Sequence, residues 1–585
     1  MILQALCDYY ERKPDLPRLG FETKSIPFVI EINAAGQLVQ IEDMRTIEGK
    51  KKIARNFLVP QGAKKTSGIA ANLLWDNAEY VLGITSTGKP DRVQEQHAAF
   101  TAKLDALAKK TDDAGLQAVR TFLQSPEKAR LEGDPLWPEI LEVNPVMTFR
   151  LNGDLELVCQ RSAVRAVLST ADTQTEEITC LVSGEADGFE RLHTSIKGVW
   201  GAQTSGANIV SFNKDSFNSF GKEQGANAPV GKRAAFAYTT SLNYLLSKES
   251  SQRIQVGDAS TVFWSEKHTE LEDTFADLFD EPPKEDPAKQ TRAIEALFKA
   301  PQTGVLGDEG GNTRFYVLGL APNAARISVR FWQVGTVAEM SARIRQHFAD
   351  LEIVHASFEK PYLSLFRLLV ATATQGKSEN IPPNLAGEFM RAILAGLPYP
   401  QTLLQAAVRR IRAEREVNYP RSALIKACLN RQARYLTNVP ALAGYSGGDA
   451  PCGYSPLNQE KEIAVSLDDS NTNPGYRIGR LFAALEKIQE EAVNPSATIR
   501  DRFYGAASST PVTVFANLMK LKNHHLSKME DGRKRYFEKL IGQIMADIND
   551  FPAHLNLADQ GRFAIGYYHQ RQAFFTKSES TTKGE

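Results

Sequence analysis

The hydrophobic pattern of the chain changes near residue 337, and this change constrains the fold more than any other feature. Before it, apolar and polar residues alternate in short runs, a pattern typical of half-buried strands. After it, apolar residues recur every three to four positions over long segments, which predicts packed amphipathic helices. We therefore predict an α+β fold, with a mixed α/β N-terminal body containing β-hairpins, a helical middle and a C-terminal helical bundle.

The 585 residues exceed what one hydrophobic core normally sustains, so several domains are expected. We predict an N-terminal body at 1–337, a helical region at 338–442, a linker at 443–473 and a terminal bundle at 474–585. The linker is rich in Gly, Ser and Pro, which breaks the helical pattern. The bundle carries sixteen Lys or Arg and twelve Asp or Glu, so it is mildly basic.

Several shorter elements are predicted within the body. An amphipathic helix is expected at 2–12, and Ala35-Gly36 and Asn152-Gly153 each mark the turn of a β-hairpin. Further strand character follows at 165–168 and 178–181. One further strand is predicted on each side of 321–323, at 314–320 and at 325–332.

Composition excludes several classes of protein. Because 69 basic residues balance 69 acidic ones, bulk charge does not attract nucleic acid, and any such surface must be local. Five widely spaced cysteines without a Cys-x-x-Cys pair favour reduced thiols over a disulfide framework. The chain shows no cleavable apolar leader and no membrane-spanning run of about eighteen apolar residues. We expect a soluble cytoplasmic protein that contacts no membrane.

Catalytic motifs are weak. Residues 444–448 fit the G-x-S-x-G pattern around Ser446, with Asp468 and His554 in the chain order of an α/β-hydrolase. Prolines on both sides of the motif contradict the strand and helix that this elbow requires, so an esterase using Ser446 stays an alternative. The nine histidines form no metal-binding motif. We expect no catalytic residue, no metal and no cofactor.

Two segments have the composition of a nucleic-acid contact. Residues 198–246 combine Gly, Ser and Asn with phenylalanines and almost no acid, which supplies hydrogen-bonding groups for phosphates and base edges. Residues 50–77 place a basic stretch before amide side chains. The alternatives are an ordinary glycine-rich loop and a solvated charged loop. The candidate contacts are Lys51, Lys52, Lys64, Lys65, Ser67, Asn72, Asn77, Gln203, Ser205, Asn208, Asn213, Lys222, Gln224 and Asn227.

Basic residues elsewhere give further candidates. In the terminal bundle they are Arg477, Arg480, Arg500, Arg502, Lys520 and Lys522, which are suited to salt-sensitive contact with a single strand. Arg409, Arg410, Arg412 and Arg415 are compatible either with a nucleic-acid groove or with the exposed face of a helix. A general single-strand-binding protein is a further alternative, for which Phe212, Phe217 and Phe220 are the stacking candidates.

Several long segments together resemble the large subunit of the type I-C CRISPR surveillance complex, called Cascade. They are MILQALCDYYER at the start, KKTSGIAANLLWDNAEYVLG at 64–83, GAQTSGANIVSFNKDSFNSFGKEQGANAPV at 201–230, FAYTTSLNYLL at 236–246, FYVLGLAPNAARISVRFW at 315–332, YRIGRLFAALEKIQ at 476–489 and IRDRFYGAASSTP at 499–511. The resemblance covers nearly the whole chain. Such long matches are more specific than the short motifs above.

The resemblance implies a non-enzymatic subunit that reads the protospacer-adjacent motif, or PAM, on target double-stranded DNA. It also implies help in opening the duplex into an R-loop, in which guide crRNA pairs with one strand. The implied partners are the backbone and handle-binding subunits, a small subunit equivalent to the terminal bundle, and a helicase-nuclease recruited for antiviral defence.

Overall fold

The computed structural model describes residues 1–49, 51–63, 68–85, 88–169, 177–303, 311–438, 461–546 and 548–575. The chain forms two compact units. The first comprises Met1–Thr194 and Val210–Tyr244, and the second comprises Ser195–Ile209 and Leu245–Glu585. Small sheets and helices make up the first unit, whereas helices dominate the second. The predicted α+β class with a helical second half is therefore confirmed.

The first unit contains three small sheets. Its strands are β1 (Phe21–Ile26), β2 (Phe28–Ile32), β3 (Leu38–Asp43), β4 (Arg45–Glu48), β5 (Lys51–Pro60), β6 (Trp75–Asn77), β7 (Val146–Leu151), β8 (Glu177–Thr179) and β9 (Ala186–Gly188). Their orders are β3-β2-β7-β6, β1-β5-β4 and β8-β9, and only the β2–β7 pair is parallel. The helices are α1 (Ile2–Arg12), α2 (Ala78–Leu82), α3 (Pro90–Ala108), α4 (Ala114–Gln124), α5 (Trp137–Val143), α6 (Ser162–Ser169) and α7 (Lys232–Leu245).

The hairpin at Ala35-Gly36 is confirmed, because β2 and β3 pair antiparallel around it. Its turn needs Gly36, which has a φ of +75° and leaves no room for a Cβ beside Thr121. Of the hairpin predicted at Asn152-Gly153, the first strand is confirmed as β7 and the second strand is wrong. After β7 the chain makes one isolated bridge at Leu157 and then enters a 3₁₀ turn and α6. β2 and β6 already occupy the two edges of β7, so little edge is left for another strand.

The strand predicted at 165–168 is also wrong, since these residues belong to α6. Val164, Val167 and Leu168 recur at helical spacing, and Val164 is fully buried against the core of the unit. That spacing satisfies a helix as well as a short strand. The helix at 2–12 and the two strands that flank 321–323 are confirmed.

The second unit combines one antiparallel sheet with twelve helices in its described residues. The strands, in sheet order, are β10 (Arg253–Val256), β11 (Ala259–Ser265), β12 (Arg314–Asn323) and β13 (Arg326–Thr336). The helices are α8 (Glu270–Phe279), α9 (Lys289–Thr303), α10 (Val337–Leu351), α11 (Leu365–Thr372), α12 (Pro383–Ala395), α13 (Gln401–Glu414), α14 (Tyr419–Asn438), α15 (Pro474–Val493), α16 (Ile499–Ala507), α17 (Val512–Leu526), α18 (Asp531–Met545) and α19 (Leu557–Phe575).

A single hydrophobic core runs through the second unit, from Phe263 in β11 to Tyr568 in α19. The predicted boundaries at 337 and 474 therefore do not separate two cores. In the predicted linker, residues 439–460 lie outside the described residues. Ile463 is buried, its carbonyl accepts a hydrogen bond from the side-chain amide of Asn430, and its backbone N–H donates to the side-chain oxygen of Asn430. The division into independently folding domains stays a prediction.

Glycines allow α15 and α19 to meet backbone to backbone. A Cβ on Gly479 would lie 2.0 Å from the carbonyl oxygen of Phe563, and one on Gly566 would lie 2.0 Å from that of Tyr476. Only hydrogen in place of a side chain permits this approach. The two helices form the centre of the terminal bundle, around which α16, α17 and α18 bury their aromatic side chains.

Candidate nucleic-acid interface

The strands β4 and β5 form an antiparallel hairpin in the first unit, and we call β4 with residues 51–56 of β5 the basic hairpin. Its register pairs Arg45 with Ala54 and Glu48 with Lys51. Gly49 provides the left-handed residue of its turn. Five of the six residues from 51 to 56 are exposed, so this part of β5 offers both of its faces to solvent.

One face of the basic hairpin carries two cations, Lys51 and Arg55. Lys51, Ile53, Arg55 and Phe57 share this face because side chains alternate along a strand. The guanidinium of Arg55 lies 5.4 Å from the centre of the Phe57 ring. Across the register from Phe57, the Lys24 ammonium lies over an indole ring at 5.2 Å. Glu48 lies opposite Lys51 in the register, and among the other carboxylates of the described residues none forms an ion pair with Lys51 or Arg55.

The opposite face is neutralised. Arg45 donates hydrogen bonds to Asp43 at 2.7 Å and to both oxygens of Glu139. These bonds hold the pKa of both carboxyls below the usual range, so both are ionised near neutral pH. The Lys52 ammonium lies 3.9 Å from Glu139 and shares its charge with Arg45. The two adjacent lysines of β5 therefore differ in their electrostatic surroundings.

A buried framework fixes the base of the basic hairpin. The Trp75 indole donates to the carbonyl of Pro60 at 2.7 Å, and the backbone amide of Ala63 donates to the Asn72 side chain at 2.9 Å. Asn72 is only 5% exposed, and its own amide N–H donates to Asp76. Asn72 thus positions the chain just before residue 64, and we do not carry it into the interface as a base-reading residue.

The remaining candidates of this segment are Lys64, Lys65, Ser67 and Asn77. Lys64, Lys65 and Ser67 lie outside the described residues. Asn77 is half-buried at the end of β6, and its side-chain oxygen accepts no hydrogen bond from the described part of the chain. That oxygen is also shielded from solvent.

The glycine-rich segment is divided between the two units. Gln203 and Ser205 belong to the second unit and are exposed. Ile196 and Ala207 exchange two backbone hydrogen bonds at the base of their loop. The half-buried Asn208 continues the chain along the edge of β13, where its carbonyl accepts from the amide of Ile327 at 3.0 Å.

The remainder of the segment forms a loop in the first unit. The Asn227 side chain accepts from the Ser219 amide at 2.9 Å and donates to the carbonyl of Lys222 at 3.1 Å. It therefore holds the loop together, and Gln224 is half-buried beside it. The loop presents Asn213, Lys222 and the 98% exposed Phe220.

Three of the six basic candidates in the terminal bundle support its structure. The buried Arg477 guanidinium donates to the carbonyls of residues 471 and 544, at 2.8 and 3.1 Å. Arg480 is buried against Gln570 and Asp469. Arg500 is half-buried and lies 3.7 Å from the fully buried Glu486. These contacts give the three arginines a structural role, so we leave them out of the proposed surface.

Arg502, Lys520 and Lys522 keep the properties expected of an interface. Arg502 and Lys520 are exposed and Lys522 is half-exposed, and no described carboxylate pairs with any of them. Sequence reasoning missed Lys24 as a neighbour of the basic hairpin. Its proximity follows from the β1–β5 register, which the sequence alone does not specify.

Ser446 lies outside the described residues. In the described ranges, no group of three or more His, Cys, Asp or Glu side chains is arranged to hold a metal ion. None of the described helices has the length and apolar character needed to cross a bilayer.

The chain matches a known protein family. A family model described as CRISPR-associated protein (Cas_Csd1) matches residues 6–575, a range that includes parts of both compact units. No curated protein matches the chain.

Proposed function

The chain belongs to the CRISPR-associated Cas_Csd1 family, the large subunits of the type I-C surveillance complex, and we propose that it recognises the PAM on target duplex DNA. It then promotes R-loop formation and helps to recruit the helicase-nuclease, without catalysing a reaction or using a cofactor. Its partners are the guide crRNA, the backbone and handle-binding subunits and the small subunit. It acts in the cytoplasm.

The observation that supports this proposal most is the one-sided charge of the basic hairpin. Contacts between Lys or Arg side chains and phosphates fix the position of a protein on DNA, and a two-stranded β-ribbon fits the major groove. Lys51 and Arg55 lie on one face. Arg55 has no carboxylate partner among the described side chains and Glu48 lies opposite Lys51 in the register, while on the other face Lys52 shares Glu139 with Arg45. The hairpin therefore meets phosphates with one defined face.

Base reading falls to side chains near the hairpin in this proposal. Trp75 and Asn72 anchor the chain at Pro60 and Ala63, just before Lys64, Lys65 and Ser67. These three residues and Asn77 are the proposed readers and positioners at the PAM. The exposed side chains of the glycine-rich segment contact the guide handle, and those of the bundle support the opened strand. They are Gln203, Ser205, Asn213 and Lys222 in the segment and Arg502, Lys520 and Lys522 in the bundle.

Neutral substitutions in β5 test the role of the hairpin. Binding of a PAM duplex to the assembled complex is measured over a series of salt concentrations for Lys51→Gln, Arg55→Gln and the matched control Lys52→Gln. Losing one phosphate contact should lower the slope of log affinity against log salt by about 0.9. We expect this loss for Lys51→Gln and Arg55→Gln and a smaller loss for Lys52→Gln.

The outcomes separate the alternatives. Equal slopes for all three variants and the parent would remove the hairpin from the interface. Equal losses on PAM-containing and PAM-free duplexes are expected for these phosphate contacts, whereas a base-reading residue should lose discrimination. A general single-strand-binding function is the second candidate, favoured by the exposed Phe220 ring beside Lys222. It requires that the complex show no preference among duplex flanks.

A further inference from the structure

A cavity of about 590 Å³ lies between three helices of the second unit. Its lining comes from α13, from Gly505 in α16 and from the first turn of α19. Arg409 and Arg412 both line it, and they lie three residues apart, so they occupy the same side of α13. Both arginines are exposed, so they face solvent and line the cavity at the same time.

The two arginines differ from those around them. Arg410 forms an ion pair with Glu414, Arg421 pairs with Glu414 and Glu416, and Arg562 pairs with Asp559. By contrast, the described chain supplies no carboxylate to Arg409 or Arg412. Two positive charges therefore face the same cavity without a counter-charge, which raises the free energy of the empty site and favours an anionic ligand.

Neutral polar groups surround Arg412. Its two terminal nitrogens lie 3.4 Å from the Gln560 side-chain oxygen and 3.5 Å from the Ser509 hydroxyl oxygen. Both distances are at the long end of the hydrogen-bond range, so the guanidinium retains capacity for a stronger acceptor. Gln560 lies in the first turn of α19, where the positive end of the helix dipole adds to the same field.

We propose that this cavity binds a phosphodiester group of single-stranded nucleic acid, an inference that rests on the proposed function. A planar guanidinium matches two phosphate oxygens at once, and two such groups lie one helical turn apart. The cavity is larger than one phosphate, so the attached sugar also has room. Arg502, exposed one turn before Gly505 on α16, continues the basic surface from the cavity.

Charge removal tests the proposal in the full chain. Binding of a fluorescein-labelled oligothymidylate is measured by anisotropy over a salt series for Arg409→Gln, Arg412→Gln and the matched control Arg410→Gln. Each of the first two should weaken binding severalfold and lower the salt slope by about 0.7, the value for one phosphate of a single strand. Arg410→Gln should leave the slope unchanged, because its charge is already balanced by Glu414.

A second pair of variants does not depend on the arginines. A Cβ on Gly505 meets no atom within 4 Å, so a longer side chain enters open space there. Gly505→Glu places a negative charge at the cavity, whereas Gly505→Gln adds nearly the same volume without charge. We expect Gly505→Glu to reduce oligothymidylate binding at least as much as Arg412→Gln does. Gly505→Gln should retain more of the binding than Gly505→Glu, with both variants melting at or above the parental temperature.

The two proposals fail separately. Parental binding in Arg409→Gln and Arg412→Gln, or equal binding by the two Gly505 variants, would overturn the phosphate site. So would a parental chain that does not bind oligothymidylate. None of these results changes the duplex assay on Lys51 and Arg55, which decides the function of the basic hairpin independently.

Discussion

The crossing of α15 and α19 makes Gly479→Ala a sharp test of how the terminal bundle is packed. A methyl group at this position would lie 2.0 Å from the Phe563 carbonyl oxygen. A carbon and a carbonyl oxygen normally approach to about 3.3 Å, so the helices must separate by roughly 1.3 Å. A gap of that size removes about half of the dispersion energy of each contact that it opens.

The expected magnitude follows from two opposing effects. Alanine stabilises a helix by about 1 kcal/mol relative to glycine. Overpacking a core costs about 1–3 kcal/mol, and occasionally more where backbone must move. Because the obstacle is backbone and not a flexible side chain, we expect the upper end of this cost. A cost of about 3 kcal/mol less a gain of about 1 kcal/mol means that Gly479→Ala should lower the free energy of unfolding by about 2 kcal/mol.

Gly542 provides the matched control. It lies within α18 of the same bundle, and a Cβ built on it meets nothing within 4 Å. Gly542→Ala should raise the free energy of unfolding by up to about 1 kcal/mol, since only helix propensity changes. The assay is urea unfolding of the full chain followed by far-ultraviolet circular dichroism, with midpoints compared at equal slope. Effects of the same sign for both substitutions would refute the close backbone packing.

Two further predictions concern acid and truncation. Burial holds the pKa of His569 at about 3 and that of His347 well below 6.5, so both are neutral in the fold. Stability should be complete above pH about 6.5 and fall toward pH 3, by up to about 1.4 kcal/mol per unit for each histidine. His569→Gln should flatten the dependence of urea midpoint on pH, and an unchanged dependence would contradict this origin. A fragment of residues 461–585 should be helical and unfold cooperatively. It lacks Leu404, Ile425 and Leu429, which cover α19 at Gly561 in the full chain, so the exposed surface of α19 should bind an apolar dye. A fragment without a cooperative transition would show that the bundle depends on α13 and α14.

The sequence predicted helices well where their apolar spacing ran over several turns. The helix at 2–12 has the predicted bounds, and the terminal region predicted as a helical bundle consists of helices. Prediction from the sequence failed for short apolar runs such as 165–168, because such a run fits a strand and a helix equally. Tertiary pairing decides such segments, since an edge already occupied by β2 or β6 is closed to another strand.

The sequence located basic segments but did not distinguish the role of each charge. Arg477 and Arg502 are both arginines in helices of the terminal bundle, yet one donates to buried carbonyls and the other is exposed. Lys51 and Lys52 are neighbours, and only Lys52 lies near Glu139. These differences depend on partners distant in the sequence, so composition and spacing do not reveal them.

Net neutrality gives these distinctions a physical consequence. Because the chain has 69 positive and 69 negative side chains, long-range attraction to nucleic acid is weak, and binding depends on local groups of unpaired cations. Ion pairs such as Arg45 with Glu139 and Arg421 with Glu414 withdraw many arginines from that role. The cations of the basic hairpin and of the α13 cavity should each contribute a measurable share of the salt slope. In a protein of high net positive charge, losing one contact would change the salt slope by only a small fraction, whereas in a neutral protein the same loss is a larger fraction of the slope.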